Sequence, residues 1–161
     1  DRLFVVIDQN RVEVQLFENA SALAVGPILP AKKITLSGAM RLHGISYSSS
    51  RDVLILTDIA EASAAGFDSD GAIHIITDAS SKFSVSGPSI APSKTIKGAL
   101  TGLGNPVDVA WDDREGKDLI YIAEKARRKI LVFNYSGTGN IAPLLSADLT
   151  SSPEAIYLDA R

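Results

Sequence analysis

The side chains best suited to chemistry in this chain are carboxylates that follow short apolar runs. Asp8, Asp58 and Glu124 each come directly after a mostly apolar run that begins five positions earlier. Carboxylate oxygens at a strand end can hold a divalent cation, but they also accept hydrogen bonds from the backbone amides of the adjoining turn. The sequence leaves both roles open and favours the turn role.

A second set of polar residues, His43, Asp108 and Glu154, stands at or beside the start of another kind of apolar segment. An imidazole and two carboxylates near one axis would suit a divalent cation, and a bound cation can polarise a carbonyl or activate water. His43 has no paired nucleophile, because no serine stands in a Gly-x-Ser-x-Gly elbow. We therefore assign no catalytic residue, no metal ligand and no cofactor, with calcium or zinc as the alternative.

Three other polar patterns have simple structural explanations. Arg127 and Arg128, with the neighbouring lysines, would receive an acidic partner or a sugar acid, or form a solvated hairpin tip. The run Asp68-Ser-Asp-Gly71 begins like a calcium loop but lacks the closing glutamate, so a polar turn is expected. His74 follows the alternation of its predicted strand, which indicates a structural role.

Length and composition restrict the classes of protein to which the chain can belong. Its 161 residues suffice for one domain with a sizeable core, and a net charge of −3 gives no reason to expect nucleic-acid binding. No apolar run approaches the roughly 18 residues needed to cross a bilayer, and the absence of cysteine excludes a disulfide framework. The first residue is Asp1 rather than Met, so a secreted or periplasmic protein without its leader is expected, although an excised fragment would look the same.

The chain repeats itself at intervals typical of a propeller blade. A glycine, an isoleucine and a proline recur in the same order at 26–30, 87–92 and 139–143. The closing residues Pro30, Pro92 and Pro143 are 62 and then 51 residues apart. A four-stranded propeller blade with some long loops needs about 40–50 residues.

Four kinds of strand, which we name a to d, recur around these landmarks. Strand a precedes the apolar run, strand b is the run itself, strand c follows it and strand d is led by the proline. The chain then reads b-c-d, a-b-c-d, a-b-c-d, a, which is twelve strands with almost no helix, Ala60 to Ala65 being the only helix-friendly stretch. We predict one all-β domain, residues 1–161, with blade 1 at about 1–38 plus strand 154–160, blade 2 at about 41–100 and blade 3 at about 105–149.

The stretch from Asn105 to Pro143, with its Leu-Ile-Tyr-Ile-Ala and Ile-Leu-Val-Phe strands and its Gly-Asn-Ile-Ala-Pro tail, resembles the NHL-type and related bacterial β-propeller repeats. The resemblance covers blade 3 closely, blade 2 fairly well and blade 1 from strand b onward. It implies four-stranded antiparallel blades around a central channel that is lined by strand a. It implies no single activity, because such propellers include protein-binding platforms, carbohydrate binders and lactone-type hydrolases.

The resemblance also implies where a ligand would bind. In propellers the d-to-a and b-to-c loops emerge on one face, around the mouth of the channel, and the charged residues of this chain map there. The metal-ligand pattern of gluconolactonase-like propellers is not reproduced, because Val107 occupies the equivalent position in blade 3. The predicted ligand-binding residues are His43, Asp58, Asp108, Glu124, Arg127, Arg128 and Glu154.

We therefore expect a non-catalytic propeller that binds a protein, a carbohydrate or another small molecule at the channel mouth. The alternative is a metal-assisted lactone or ester hydrolase of the gluconolactonase-like type, which would use His43, Asp108 and Glu154.

Two further expectations are structural. Trp111 should lie between blades, and the small-residue insertion from Ile59 to Asp70 should form a mobile lid on the mouth face.

Three blades are too few for a ring of the usual four to eight. Joining the end of the sequence to its start gives EAIYLDAR-DRLFVVID, which parallels VDVAWDDREGKDLIYIAE. We therefore predict a homodimer with six blades, in which strand a at Glu154 to Leu158 pairs with strand b at Leu3 to Ile7 of a second copy. The competing expectation is that the 161 residues are half of a longer chain.

Overall fold

A computed structural model describes residues 1–8, 11–61 and 69–159 of the chain. The described part is all-β, as predicted, and its helical content is one 3₁₀ turn, Ala20–Ala22, and one turn of α-helix, α1, Ala79–Lys82. None of its helices is long and apolar enough to cross a membrane. The strands are β1 (Arg2–Ile7), β2 (Glu13–Glu18), β3 (Lys32–Leu36), β4 (Leu42–Ser48), β5 (Val53–Asp58), β6 (Ala72–Ile76), β7 (Ser89–Ile90), β8 (Lys94–Lys97), β9 (Pro106–Asp112), β10 (Leu119–Glu124), β11 (Lys129–Asn134) and β12 (Leu145–Asp148).

The strands form three four-stranded sheets. Sheet I has the order β1-β2-β3-β7, sheet II the order β4-β5-β6-β8, and sheet III the order β9-β10-β11-β12. Every pairing in sheets II and III is antiparallel and joins strands that follow one another as a, b, c and d. The predicted strand order is therefore confirmed for these two sheets, and within the described residues no sheet closes on itself.

Sheet II lies between the other two sheets, which explains why β5 is apolar on both faces. Leu54 and Leu56 pack in a core shared with sheet I, whereas Val53 and Ile55 pack in a core shared with sheet III. All six residues of β5 are buried. A strand covered on both faces has no position left for a solvated side chain.

Sheet I differs from the prediction in two ways. Its fourth strand is β7, which runs parallel to β3 and comes from the connection between α1 and β8. The structure assigns no strand to Glu154–Leu158, the predicted strand a of blade 1. The predicted pairing of this segment is with β1 of a second copy; within one chain the segment lies beside β9, where the backbone amide of Ile156 donates to the carboxylate of Asp108 at 2.9 Å.

The register of sheet I also shifts Asp8 relative to the other two acids. Asp58 and Glu124 are the last paired residues of their strands, but in sheet I the last pair is Ile7 with Glu13. Asp8 therefore lies one residue beyond the ladder. The equivalent of Asp58 in sheet I is Ile7, a one-residue offset that the sequence pattern does not reveal.

The insertion between β5 and β6 is only partly described. Its first residues, Ile59 and Ala60, are buried, and the Glu61 amide donates to Asp70 at 3.3 Å. Residues 62–68, on which the predictions of a mobile lid, of a helix-friendly stretch and of the Asp68 turn depend, lie outside the described residues.

Candidate functional site

The inner strands of sheets II and III border a cleft of about 370 Å³. Strand a of sheet II, β4, forms one wall and strand a of sheet III, β9, forms the next. The third wall is the segment around Tyr157, a residue that is 89% exposed. The side chains relevant to binding in this inner-strand cleft are Ser46, Asp108, Asp112, Asp113, Arg114 and Tyr157.

His43 lies at one end of this cleft and connects the two inner strands. Its Nδ1 is 2.6 Å from the carbonyl oxygen of Val107, at the start of β9. Its Nε2 is 4.0 Å from a carboxylate oxygen of Asp8, and Arg41 donates to the same carboxylate at 2.8 Å. The start of β4 is thus linked both to the end of β1 and to β9.

Asp108 and Glu154 hold the third wall of the cleft in place. The carboxylate of Asp108 accepts a hydrogen bond from the backbone amide of Ile156 at 2.9 Å. Glu154 forms an ion pair with Lys125 at 2.8 Å, and both side chains are solvent-exposed. The Ile156 side chain packs against Val107 and its neighbours. The structure therefore places His43, Asp108 and Glu154 near the start of β9.

Asp58 is buried at the end of β5 and accepts four hydrogen bonds. The backbone amides of Met40, Arg41 and Ala60 donate at 2.8 to 2.9 Å, and His74 Nε2 lies 3.2 Å away. Burial disfavours the charged form, but the hydrogen bonds from His74 and the three amides outweigh it and lower the pKa of Asp58 to about 2. Asp58 thereby ties the turn before β4 to the end of β5.

Glu124 accepts backbone hydrogen bonds in the same way at the end of β10 in sheet III. Its carboxylate accepts hydrogen bonds from the backbone amides of Gly104, Asn105 and Ala126 at 2.9 to 3.2 Å, and its side chain is fully buried. Here burial is the largest influence and raises the pKa of Glu124, because backbone amides offset it only in part. The hydrogen bonds of Glu124 and Asp58 match the turn role that the sequence also allowed.

The basic residues of the β10–β11 turn lie in different surroundings. Arg127 donates to the hydroxyl of Ser69 at 3.3 Å. Arg128 is exposed and occupies the left-handed region with φ of 54°, as is common for a tight turn. Together with Lys125 they border the same end of the sheets as the acids.

The sequence did not reveal a cluster of cations and aromatic rings between sheets II and III. Trp111 is 7% exposed and stacks on Tyr135 with ring centroids 4.8 Å apart, which confirms that it lies between two sheets. The Arg51 guanidinium lies 5.0 Å from the Trp111 ring and 4.8 Å from the Tyr135 ring, and it pairs with Asp118. Lys94 covers Tyr135 at 3.8 Å. These residues are far apart in the chain, so no local pattern marks the cluster.

His74 has the structural role that its position in the strand predicted. It is 2% exposed, and its two ring nitrogens lie near Asp58 and near the hydroxyl of Thr95, the latter at 3.0 Å. Within residues 1–8, 11–61 and 69–159, no group of three or more His, Asp or Glu side chains is placed to hold a metal ion.

Comparison with known proteins adds no family to this description. No protein-family model matches the chain, and no curated protein matches it either.

Proposed function

We propose that this chain is a non-catalytic β-propeller module of the NHL-like type, which binds its ligand at the inner-strand cleft and the mouth beside it. In this proposal the three sheets are blades, β4 and β9 are innermost strands, and the cleft is a section of the central channel. Propellers commonly bind ligands where their inner strands and loops meet.

One observation carries the proposal: two successive strands a and the segment after β12 line a single cleft. The cleft combines an exposed aromatic ring, Tyr157, with a hydroxyl, Ser46, and carboxylates such as Asp108. An aromatic face beside a few polar groups suits a carbohydrate or a short peptide better than an ion. The net charge of −3 weighs against a nucleic acid.

The test is a variant that fills the cleft. Ser46 is half-buried and lines the cleft, so Ser46→Trp blocks it without removing a core residue. We expect the wild-type chain to bind probes on an array of immobilised oligosaccharides and peptides, and Ser46→Trp to lose at least tenfold in affinity. The matched control is Leu100→Trp, at a site that is 62% exposed and outside the cleft. Equal binding by Ser46→Trp, or no binding by a folded wild-type chain, contradicts the proposal.

The second candidate function is a metal-assisted lactone or ester hydrolase. The observation in its favour is the approach of His43 Nε2 to Asp8, at 4.0 Å, beside the cleft. Calcium or zinc bound stoichiometrically to the purified chain, with lactone hydrolysis that His43→Ala abolishes, would establish this function. We place it second because Asp108 is already engaged by the amide of Ile156.

The proposed assembly is a homodimer that closes a ring of six blades. Sheet III leaves apolar side chains on the face that points away from sheet II, and sheet I has an edge strand, β1, whose inner side carries no further strand among the described residues. Export to the periplasm or the medium remains a prediction, which fractionation of the source cells would check.

A further inference from the structure

The segment 154–158 occupies the position of an inner strand of a fourth sheet. Ile45 on β4 packs into the core shared with sheet I, the sheet before its own, and Val109 on β9 packs into the core shared with sheet II. Ile156 continues this series, because it packs against Val107 and Ala123 of sheet III. Each inner segment thus places one isoleucine or valine against the preceding sheet.

Contacts between a side chain of one inner segment and the backbone of the next are consistent with the same series. His43 of sheet II contacts the carbonyl oxygen of Val107, the second residue of β9 in sheet III, at 2.6 Å. Asp108 of sheet III in turn contacts the amide of Ile156 at 2.9 Å. The segment is therefore placed beside β9 much as β9 is placed beside β4, but no strand of the described residues pairs with it.

In sheet I, by contrast, strand b has no inner strand beside it among the described residues. In sheets II and III the strand b is paired on its inner side, Leu56 with Ile45 and Ile122 with Val109. The corresponding strand of sheet I, β1, is paired only with β2 among the described residues. Its outward-facing Leu3 is 48% exposed.

The free faces of the two terminal sheets both carry apolar side chains, and that of sheet I also carries Glu13, Gln15 and Lys33. On sheet III, Tyr121 pairs with Val132, which pairs with Leu145, on the face away from sheet II. On sheet I, Leu3 and Val5 lie on the face away from sheet II, because the alternate residues Phe4 and Val6 pack against that sheet. Exposed apolar side chains beside polar ones are typical of protein interfaces.

We propose that segment 154–158 adds to the free inner edge of β1 in a second copy of this chain, reciprocally, so that each chain completes sheet I of the other. This inference deepens the proposed function and rests on its assignment of the sheets as blades. The pairings of β4 with β5 and of β9 with β10 fix the register: Ile156 is opposite Val5 and Leu158 is opposite Leu3 of the partner. The exposed outer faces of sheets I and III then cover one another, which continues the packing seen between sheets I and II and between sheets II and III.

The register makes a cross-linking test possible in a chain without cysteine. Opposed residues in an antiparallel pair have Cα atoms about 4.5–5.5 Å apart, within the range of a disulfide. We expect the double variant Leu3→Cys, Leu158→Cys to run as a covalent dimer on a non-reducing gel after mild oxidation. Each single variant should remain a monomer on the gel, and so should Leu3→Cys combined with Leu100→Cys.

A second measurement keeps the test independent of disulfide chemistry. Light scattering at about 50 μM should give twice the mass of 17.0 kDa for the wild-type chain. Leu3→Arg should raise the dissociation constant of this dimer at least tenfold. Leu100→Arg, at a similarly exposed site, should leave the dimer unchanged. A folded, monodisperse wild-type monomer, or a double-cysteine variant that does not cross-link, overturns the inference. Ligand binding that depends on Ser46 in such a monomer would leave the proposed function standing.

Discussion

Asp58 shows how one buried carboxylate can hold two neighbouring strands together. It remains ionised because its two oxygens accept three backbone amides and the His74 ring. Glu124 accepts hydrogen bonds from the backbone amides of Gly104, Asn105 and Ala126, and burial raises its pKa rather than lowering it. The pKa thus shifts in opposite directions at the same position of the repeat: hydrogen bonds, that of His74 foremost, outweigh burial at Asp58, and burial outweighs the backbone amides at Glu124.

Replacing Asp58 with Asn should lower the free energy of unfolding by about 2–3 kcal/mol at neutral pH, because buried amide donors lose an acceptor. Since the pKa of Asp58 falls to about 2 in the folded chain, its stabilisation is complete above about pH 5. About 2 kcal/mol of it is lost as the pH falls toward 2. Urea unfolding at pH 7, 5 and 3 should therefore show the difference between wild type and variant shrinking. Asp148→Asn, at an 84% exposed side chain, is the control, and a difference independent of pH would contradict the assignment.

At the scale of elements, β4 and β9 approach each other more closely than side chains normally allow. A Cβ atom at Gly44 would lie 2.6 Å from the Asp108 Cα and 3.0 Å from the Val107 carbonyl oxygen. The Gly44 amide also donates to Thr57 at 2.7 Å. Glycine is needed here for the close approach of two backbones.

Gly44→Ala should therefore force the inner strands apart and cost about 1–3 kcal/mol. Thermal or urea unfolding measures the loss, and Ser46→Ala on the same strand should change stability by less than about 0.5 kcal/mol. Full stability of Gly44→Ala would show that β4 and β9 can separate without penalty.

Trp111 joins sheets II and III through the cluster with Tyr135 and Arg51. Trp111→Ala should lower the free energy of unfolding by about 3–5 kcal/mol, because it leaves a cavity in a core formed by two sheets. The control is Tyr157→Ala, at a residue that is 89% exposed. An effect of Trp111→Ala no larger than that of the control would place the tryptophan outside the core.

At the scale of the whole molecule, sheet II contributes side chains to both the core that it shares with sheet I and the core that it shares with sheet III. Its strands β5 and β6 are buried throughout, whereas β12 is largely exposed. Opening either interface exposes apolar residues of sheet II, so the three sheets should unfold together.

Hydrogen exchange followed by mass spectrometry should therefore be slowest in β5 and β6 and fastest in β12, because local opening is governed by buried contacts.

Strand β1 provides a further comparison. In the dimer proposed above, its amides should be protected at high protein concentration and should exchange faster on dilution. Protection of β12 equal to that of β5 would show that sheet III is covered by something other than the contacts described.

The sequence alone determined the all-β class and the strand order of sheets II and III, and it favoured the turn role of Asp58 and Glu124 without excluding a ligand-binding role. These follow from local signals: the apolar runs, the prolines that lead strands d, and acids at strand ends. The tertiary structure decided which residues meet across sheets. Four features depend on contacts between segments that are distant in the sequence. They are the pairing of β7 with β3, the one-residue offset of Asp8, the Arg51 cluster and the packing of Ile156 against sheet III. Such contacts produce no repeating pattern in a single sequence, because each residue is selected to fit a neighbour in space and not a position in the repeat.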